Sequence, residues 1–275
     1  MNDQLVSIII AAYNSEKFVK AAVNSALDQS HEKIEVIVVD DGSTDRTWEI
    51  INSIDDSRLK TLQKVNGGVS SARNMALLTI QGDFFCFLDA DDIMPDRSVE
   101  SRLNIFYENP SLDFVDGKVL YVSTDLKPLK EEYTPDFQGN PMPLLLRLDR
   151  RCLFGNTWMI RRHENVIYRF NKDLTHAEDL YFYLSICNQY DSNYAYTNHP
   201  ILKYRQHPNS AMKNLDGLEA GYLNLLREIK KEINYLPSQF RFLKLRILRI
   251  MFLSHLFDGR NPIAATRLIF RLLRV

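Results

Sequence analysis

Residues 34–45 read IEVIVVDDGSTD, and the next nine, RTWEIINSI, change character. The first eight form an apolar run, interrupted only by Glu35 and ending in two carboxylates, the pattern of a strand buried on both faces. Gly42 permits a tight turn, and Ser43, Thr44 and Asp45 can satisfy the orphan amides at a helix start. A buried strand, a turn and a helix within 21 residues make one βα unit.

The same unit recurs on either side. VSIIIAAY (6–13) is a second continuous run, followed by Phe18, Val19, Ala22, Val23, Ala26 and Leu27 at helical spacing, with Asn14 and Ser15 available as caps. A short strand near 59–62 precedes NGGVSSARNMALLTI (66–80), a glycine loop feeding a third helix. GDFFCFLDADD (82–92) is another strand, and Val99, Leu103, Phe106 and Tyr107 mark the helix behind it. This alternation predicts an α/β fold with a mostly parallel sheet and helices on both faces. After residue 112 the pattern shifts. LDFVDGKVLYVS (112–123) reads as antiparallel strands, 125–143 as a proline-rich loop, 178–189 as a helix, 194–197 and 201–204 as short strands, and everything from 217 as helical.

Bulk composition narrows the function. The 275 residues are 45% hydrophobic and 25% charged, as in a globular protein with a substantial core. A net charge of −1 argues against a general nucleic-acid binder, yet residues 239–275 hold eight Lys/Arg against one acid, Asp258. Three cysteines without metal-ligand spacing read as buried thiols of a reducing compartment. The first residues lack a basic stretch ahead of their short apolar run, and no run approaches the ~20 residues of a membrane span. A cytoplasmic protein is expected.

Open parallel sheets bind ligands beyond the carboxyl ends of their strands. Three polar clusters fall there: Tyr13-Asn14, Asp40-Asp41 and Asp89–Asp92. In extended backbone Asp89 and Asp91 point the same way, so both can face one hard divalent cation such as Mg²⁺ or Mn²⁺. The alternative is an acidic turn in which Asp92 caps the following helix. A carboxylate in VVDD could accept a base-ring N–H, uracil N3 for example; turn chemistry alone would also explain it.

SIIIAAYN, IEVIVVDDGSTD, NGGVSSARNMAL and FLDADD, in this order, resemble the family 2 glycosyltransferases of GT-A fold, and HAEDLYF (176–182) and YRQHPNSA (204–211) extend the likeness over roughly residues 5–211. The resemblance implies a catalytic domain over 1–214, with a nucleotide-sugar half (1–111) and an acceptor half (112–214), followed by a helical extension over 215–275. It implies that Ala12, Tyr13, Asn14, Asp40, Asp41, Gly68, Arg73, Asp89, Ala90 and Arg205 surround a nucleotide-diphosphate sugar. Asp91 would ligate the Mn²⁺ or Mg²⁺ that bridges the diphosphate, joined by His207 from a closing loop. Asp179 would be the general base, with Glu178 orienting the acceptor. The implied reaction is an inverting transfer from a UDP-sugar to a saccharide hydroxyl in bacterial surface-polysaccharide assembly. On residues alone, Arg73 would be an exposed helix arginine and Glu178-Asp179 a helix-start acidic pair.

Three readings stay open. Trp158, in CLFGNTWMIRR (152–162), could stack on an acceptor sugar or sit in the core. The basic tail could lie on an anionic membrane, with Arg267, Arg271 and Arg274 on one helical face and Leu268, Ile269, Leu272 and Leu273 on another; it could equally pack on the catalytic body or self-associate. FLDADD also resembles the nucleophile motif of haloacid-dehalogenase-like phosphatases, but that motif belongs on a first strand, and here three βα units precede it. A catalytically silent nucleotide-sugar-binding subunit is the remaining alternative.

Overall fold

A computed structural model describes residues 3–206 and 214–273. The expected βα units are present: β1 (Val6–Ala12), α1 (Val19–Leu27), β2 (Ile34–Asp40), α2 (Thr47–Asn52), β3 (Leu59–Gln63), α3 (Val69–Leu77), β4 (Phe84–Asp89) and α4 (Ser98–Glu108). The second half adds β5 (Phe114–Val122), β6 (Pro128–Tyr133), α5 (Met142–Leu145), β7 (Met159–Arg161), α6 (Glu178–Cys187) and β8 (Tyr194–Arg205). Three helices follow: α7 (Leu215–Glu232), α8 (Pro237–Leu253) and α9 (Pro262–Leu273), with a wide π-type turn at Ser254–Asp258 between the last two.

The strands form one eight-stranded sheet in the order β3-β2-β1-β4-β7-β5-β6, with β8 paired to β5. β1 is parallel to β2 and β4, and β3 to β2, so the carboxyl ends of β1, β2 and β4 share one edge. The register sets Ala12 opposite Asp40 and Ala11 opposite Asp89. Two details differ from the sequence reading. Residues 112–123 give a single long strand whose partners β6 and β7 lie in the loop-rich segments; these strands are short or, but for Tyr133, exposed and carry no apolar run to reveal them. The two short strands expected after 193 are one bulged strand, β8, parallel to β5.

Both faces of the sheet are covered. Val6, Ile8, Ile10 and Ala12 pack against α1 and α4, whereas Ile9, Ile37, Phe85 and Phe87 face a second core shared with α3 and α6. That second core runs on without a break into Leu225, Ile229, Leu243, Ile247, Met251, Leu268 and Leu272. The C-terminal helices therefore pack on the catalytic body, one of the alternatives that the sequence left open. Burying six such aliphatic side chains contributes about 1.5–3 kcal/mol each.

Candidate active site

The turns after β1 and β2 are laced together. Asn14, at positive φ of 47°, donates its amide to Ser43 Oγ at 2.9 Å, and its Oδ1 accepts the Thr44 amide at 2.8 Å. Of the expected Ser43, Thr44 and Asp45, Asp45 satisfies the start of α2, accepting the Thr47 amide at 2.9 Å, whereas α1 has no side-chain cap and Ser15 offers only its carbonyl to the Phe18 and Val19 amides. Asn14 thereby fixes the wall on which Tyr13 stands half-exposed.

Asp40 and Asp41, adjacent in sequence, have different tasks. Asp40 is fully buried at the tip of β2; its Oδ2 accepts Ser43 N and Gln63 Nε2, while Oδ1 is buried without a partner. Such an acceptor is costly unless something donates to it. Asp41 is already engaged: it pairs with Lys64 at 2.6 Å and accepts the amides of Gly67 and Gly68. The sequence reading grouped it with the nucleotide ligands; the structure makes it the post that folds the glycine loop. Gly68, at φ 84°, opens its Cα side onto free space as it leads into α3.

Arg73 is the central cation. Burial alone would make an unpaired guanidinium expensive, and it is fully engaged. Its Nη2 donates to Asp89 Oδ1 at 2.8 Å and its Nη1 to Glu178 Oε1 at 3.2 Å. The plane lies over Phe87 and Phe170, 5.8 and 5.3 Å from their ring centres. With its amide oxygen turned inward, Asn156 accepts from both terminal nitrogens at 2.8 and 3.0 Å. One buried side chain thus joins the tip of β4 to the start of α6 and to the loop before β7. The residue-only reading, an exposed helix arginine, is corrected: hydrophobic spacing on α3 cannot announce a carboxylate 105 positions away.

Glu178 and Asp179 form the first turn of α6, entered through Ala177 in the left-handed region at φ 58°. A β-carbon held there costs about 1 kcal/mol or more, so packing must impose it. It does: α7 lies so close that a β-carbon on Gly221 would meet His176 Cβ at 2.5 Å. Asp179 Oδ1 accepts the Leu180 amide at 2.7 Å, and Gly155 lies alongside its other oxygen. Burial and the neighbouring Asp179 charge push the Glu178 carboxyl up to about 7, against the pull of Arg73. Asp179 is raised too, first by burial, with Asp89 adding to it.

Asp91 and Asp92 part company like Asp40 and Asp41. Asp92 is buried and accepts the Arg205 amide at 2.8 Å; burial and the charges of Asp89 and Asp91 hold its carboxyl well above the usual range. It secures the turn to β8 and does not cap α4. Arg205 Nε donates to the Asp91 carbonyl at 2.6 Å, its Nη1 to the Thr124 carbonyl, and its plane covers Phe18 at 4.7 Å. Arg205, expected beside the nucleotide, is in this structure a clamp on the acidic turn. Asp91 itself is half-buried, and Ala90 is buried behind it. His207 lies outside the described residues.

Trp158 settles as core. It is fully buried, stacks on Tyr183 with ring centres 4.0 Å apart, and donates Nε1–H to the Cys152 carbonyl at 3.0 Å. No face is left for a sugar. Sequence reasoning gave no role to Asn156, Gly155, His176 or Gly221, whose part here depends on contacts with distant residues.

Five carboxylates (Asp89, Asp91, Asp92, Glu178 and Asp179) thus surround two guanidiniums, and three of the five have raised proton affinity. Such a cluster favours an added positive charge, and its oxygen donors suit a hard divalent ion. Among the described residues no three ligands of the His, Cys, Asp and Glu type converge on one point. A cation here would draw the rest of its shell from a bound ligand and water.

This mostly parallel sheet, flanked by helices and carrying acidic strand tips at one edge, has the GT-A architecture of glycosyltransferases. Residues 7–177 match glycosyl transferase family 2, and the chain belongs to that family. It is 28% identical over 279 residues to an Escherichia coli UDP-Glc:alpha-D-GlcNAc-diphosphoundecaprenol beta-1,3-glucosyltransferase, WfgD, covering 95% of this chain and 99% of that one. The fold is similar to that of Staphylococcus aureus TarS 1–349 in complex with UDP-GlcNAc (TM-score 0.65, 19% identity, 92% of this chain and 73% of that one). It is also similar to the mannosyltransferase PcManGT of Pyrobaculum calidifontis in complex with GDP-Man and Mn²⁺ (TM-score 0.64, 17% identity, 98% and 74%).

Proposed function

We propose that this glycosyltransferase moves a hexosyl or N-acetylhexosaminyl group from a UDP-sugar to a hydroxyl of a lipid-linked saccharide, with inversion, during cell-envelope polysaccharide assembly at the inner face of the plasma membrane. The observation that carries it is Arg73, whose guanidinium holds Asp89 of the donor-side strand tip and Glu178 of the base pair within hydrogen-bond reach of one group.

The geometry supports the following roles. Asp40 Oδ1, buried and unpaired, is an acceptor awaiting a ring N–H, which uracil supplies at N3. Tyr13 flanks the same edge with a half-exposed ring suited to stacking on the base. Asp89, half-exposed, faces the sugar-nucleotide side. Asp179 takes the proton of the acceptor hydroxyl, whose own pKa is far too high for spontaneous ionisation, and Glu178 holds the acceptor beside it. A single base on the side away from the leaving diphosphate implies one in-line displacement. Asp91, with His207 by resemblance, would hold a Mn²⁺ or Mg²⁺ ion, which when bound supplies charge neutralisation on the diphosphate oxygens.

The lipid-linked acceptor rests on likeness to WfgD, whose name specifies a diphosphoundecaprenol substrate. The test is release of nucleoside diphosphate from a panel of nucleotide sugars, with Mn²⁺ or chelator, in the presence of N-acetylglucosaminyl-diphospho-lipid. Release with a UDP-sugar, lost on chelation, is expected. A dTDP- or GDP-sugar preference would overturn the donor assignment, and no release with any donor would leave the catalytically silent binding subunit.

A further inference from the structure

The C-terminal helices bury the apolar stripe that the sequence pattern points to and carry further large apolar side chains on their outer side. On α9 the stripe Ala264, Ala265, Leu268 and Leu272 is buried against the body, while Ile263, Thr266, Arg267 and Phe270 form the exposed face. On α8, Leu243, Ile247 and Met251 are buried, and Arg241, Phe242, Leu245, Arg249 and Leu253 face outward, continued by Phe257 in the π-type turn. Large apolar side chains on this outer side are strongly exposed: Phe257 68%, Ile263 79%, Phe270 62%. Packing of the hairpin does not use them, so they need another explanation.

Their neighbours say which. Arg271 is held by the buried Glu219 at 2.6 Å, and Glu219 also takes His255 at 2.7 Å; that cluster ties α9 and the π-type turn to α7. Among the described residues, by contrast, no ion pair engages Arg241, Arg249 or Arg267. The surface therefore combines aromatic and aliphatic side chains with unneutralised guanidiniums, and Asp258 is the one acid from residue 239 onward.

We propose that the outer face of α8, the π-type turn and α9 docks this protein on an anionic lipid surface, with Phe257, Ile263 and Phe270 entering the interface and Arg241, Arg249 and Arg267 meeting the head groups. Charge complementarity selects this occupant. A second copy would bring the same guanidiniums face to face, whereas an anionic leaflet attracts them and accepts aromatic rings at head-group depth. The hairpin is already folded on the body, so docking orders no new backbone.

The test uses the full chain, without donor or acceptor, so it stands apart from the transferase reading. Flotation with phosphatidylcholine vesicles is compared with flotation on vesicles enriched in phosphatidylglycerol. Binding to the anionic vesicles alone, weakening as salt rises, is expected. Each basic residue near such a surface contributes about fivefold, so Arg241→Gln/Arg249→Gln/Arg267→Gln should lose roughly a hundredfold, while the corresponding triple lysine variant keeps most of the binding. Phe257→Ser/Phe270→Ser should also lose binding, with the salt dependence retained. Equal binding to neutral vesicles, or an unchanged triple glutamine variant, overturns the proposal. So does absence of lipid binding together with a concentration-dependent dimer that Phe257→Ser/Phe270→Ser abolishes.

Discussion

The two walls of the proposed site, one for the donor and one for the base, are built on different principles. The donor wall comes from three strand tips in register, each followed by a turn whose hydrogen bonds come from its own motif or the next one: Asn14 with Ser43 and Thr44, Asp41 with Gly67 and Gly68. The base wall has little local support. Ala177 sits in an unfavourable conformation beside a closely packed α7, and Arg73, itself held by Asn156, reaches Glu178 from a distant part of the chain. A wall made of short-range motifs tolerates remote change; one held from outside transmits it.

Mutagenesis can break that contrast, beginning with the largest expected effect. Asp179→Asn should lower kcat by about 10²–10⁴, the usual contribution of a general base, with little change in donor affinity by calorimetry. Loss of donor binding in that variant would move Asp179 to the donor wall. Arg73→Met should follow, at roughly a hundredfold, with a second signature in the pH profile. The base must be ionised, so activity falls as pH drops through its raised pKa. Arg73 lowers the pKa of both Glu178 and Asp179; its removal raises them and moves the acid limb to higher pH. A limb that stays put, or moves down, would mean that the guanidinium does not act on the pair.

Gly221→Ala comes next. Its β-carbon would press on His176, so kcat should drop roughly tenfold with donor KM unchanged, whereas a comparable insult on the donor wall would raise KM. Equal effects on both constants would erase the distinction between the walls. The smallest catalytic effect belongs to Trp158→Phe. Loss of its stacking on Tyr183 and its bond to the Cys152 carbonyl should cost on the order of 1–3 kcal/mol of stability, seen as a lower Tm. Acceptor KM in that variant should hold; a large rise would return Trp158 to the acceptor site.

Legibility followed the same division. The βα alternation, the parallel sheet and the strand-tip carboxylates were readable because strands buried on both faces leave continuous apolar runs, and acids at their ends stand out. Within each acidic pair the assignment was not readable. Asp40 and Asp41, or Asp91 and Asp92, are chemically alike, and only the direction of each side chain decides which one the fold consumes. Nor was the clamp that Arg205 forms on the acidic turn readable, since its side-chain partners are carbonyls that no sequence pattern marks.

What the sequence determined by itself was the family, the sheet and the residue types at the strand tips, because local periodicity and short motifs are written in contiguous residues. Tertiary structure alone decided three things: that Arg73 links the two walls, that α7 holds Ala177 in place, and that the tail turns Phe257, Ile263 and Phe270 outward while its leucine stripe packs inward. Each depends on which surface of a helix is already taken by a neighbour, and helical periodicity states that an apolar face exists without stating what covers it.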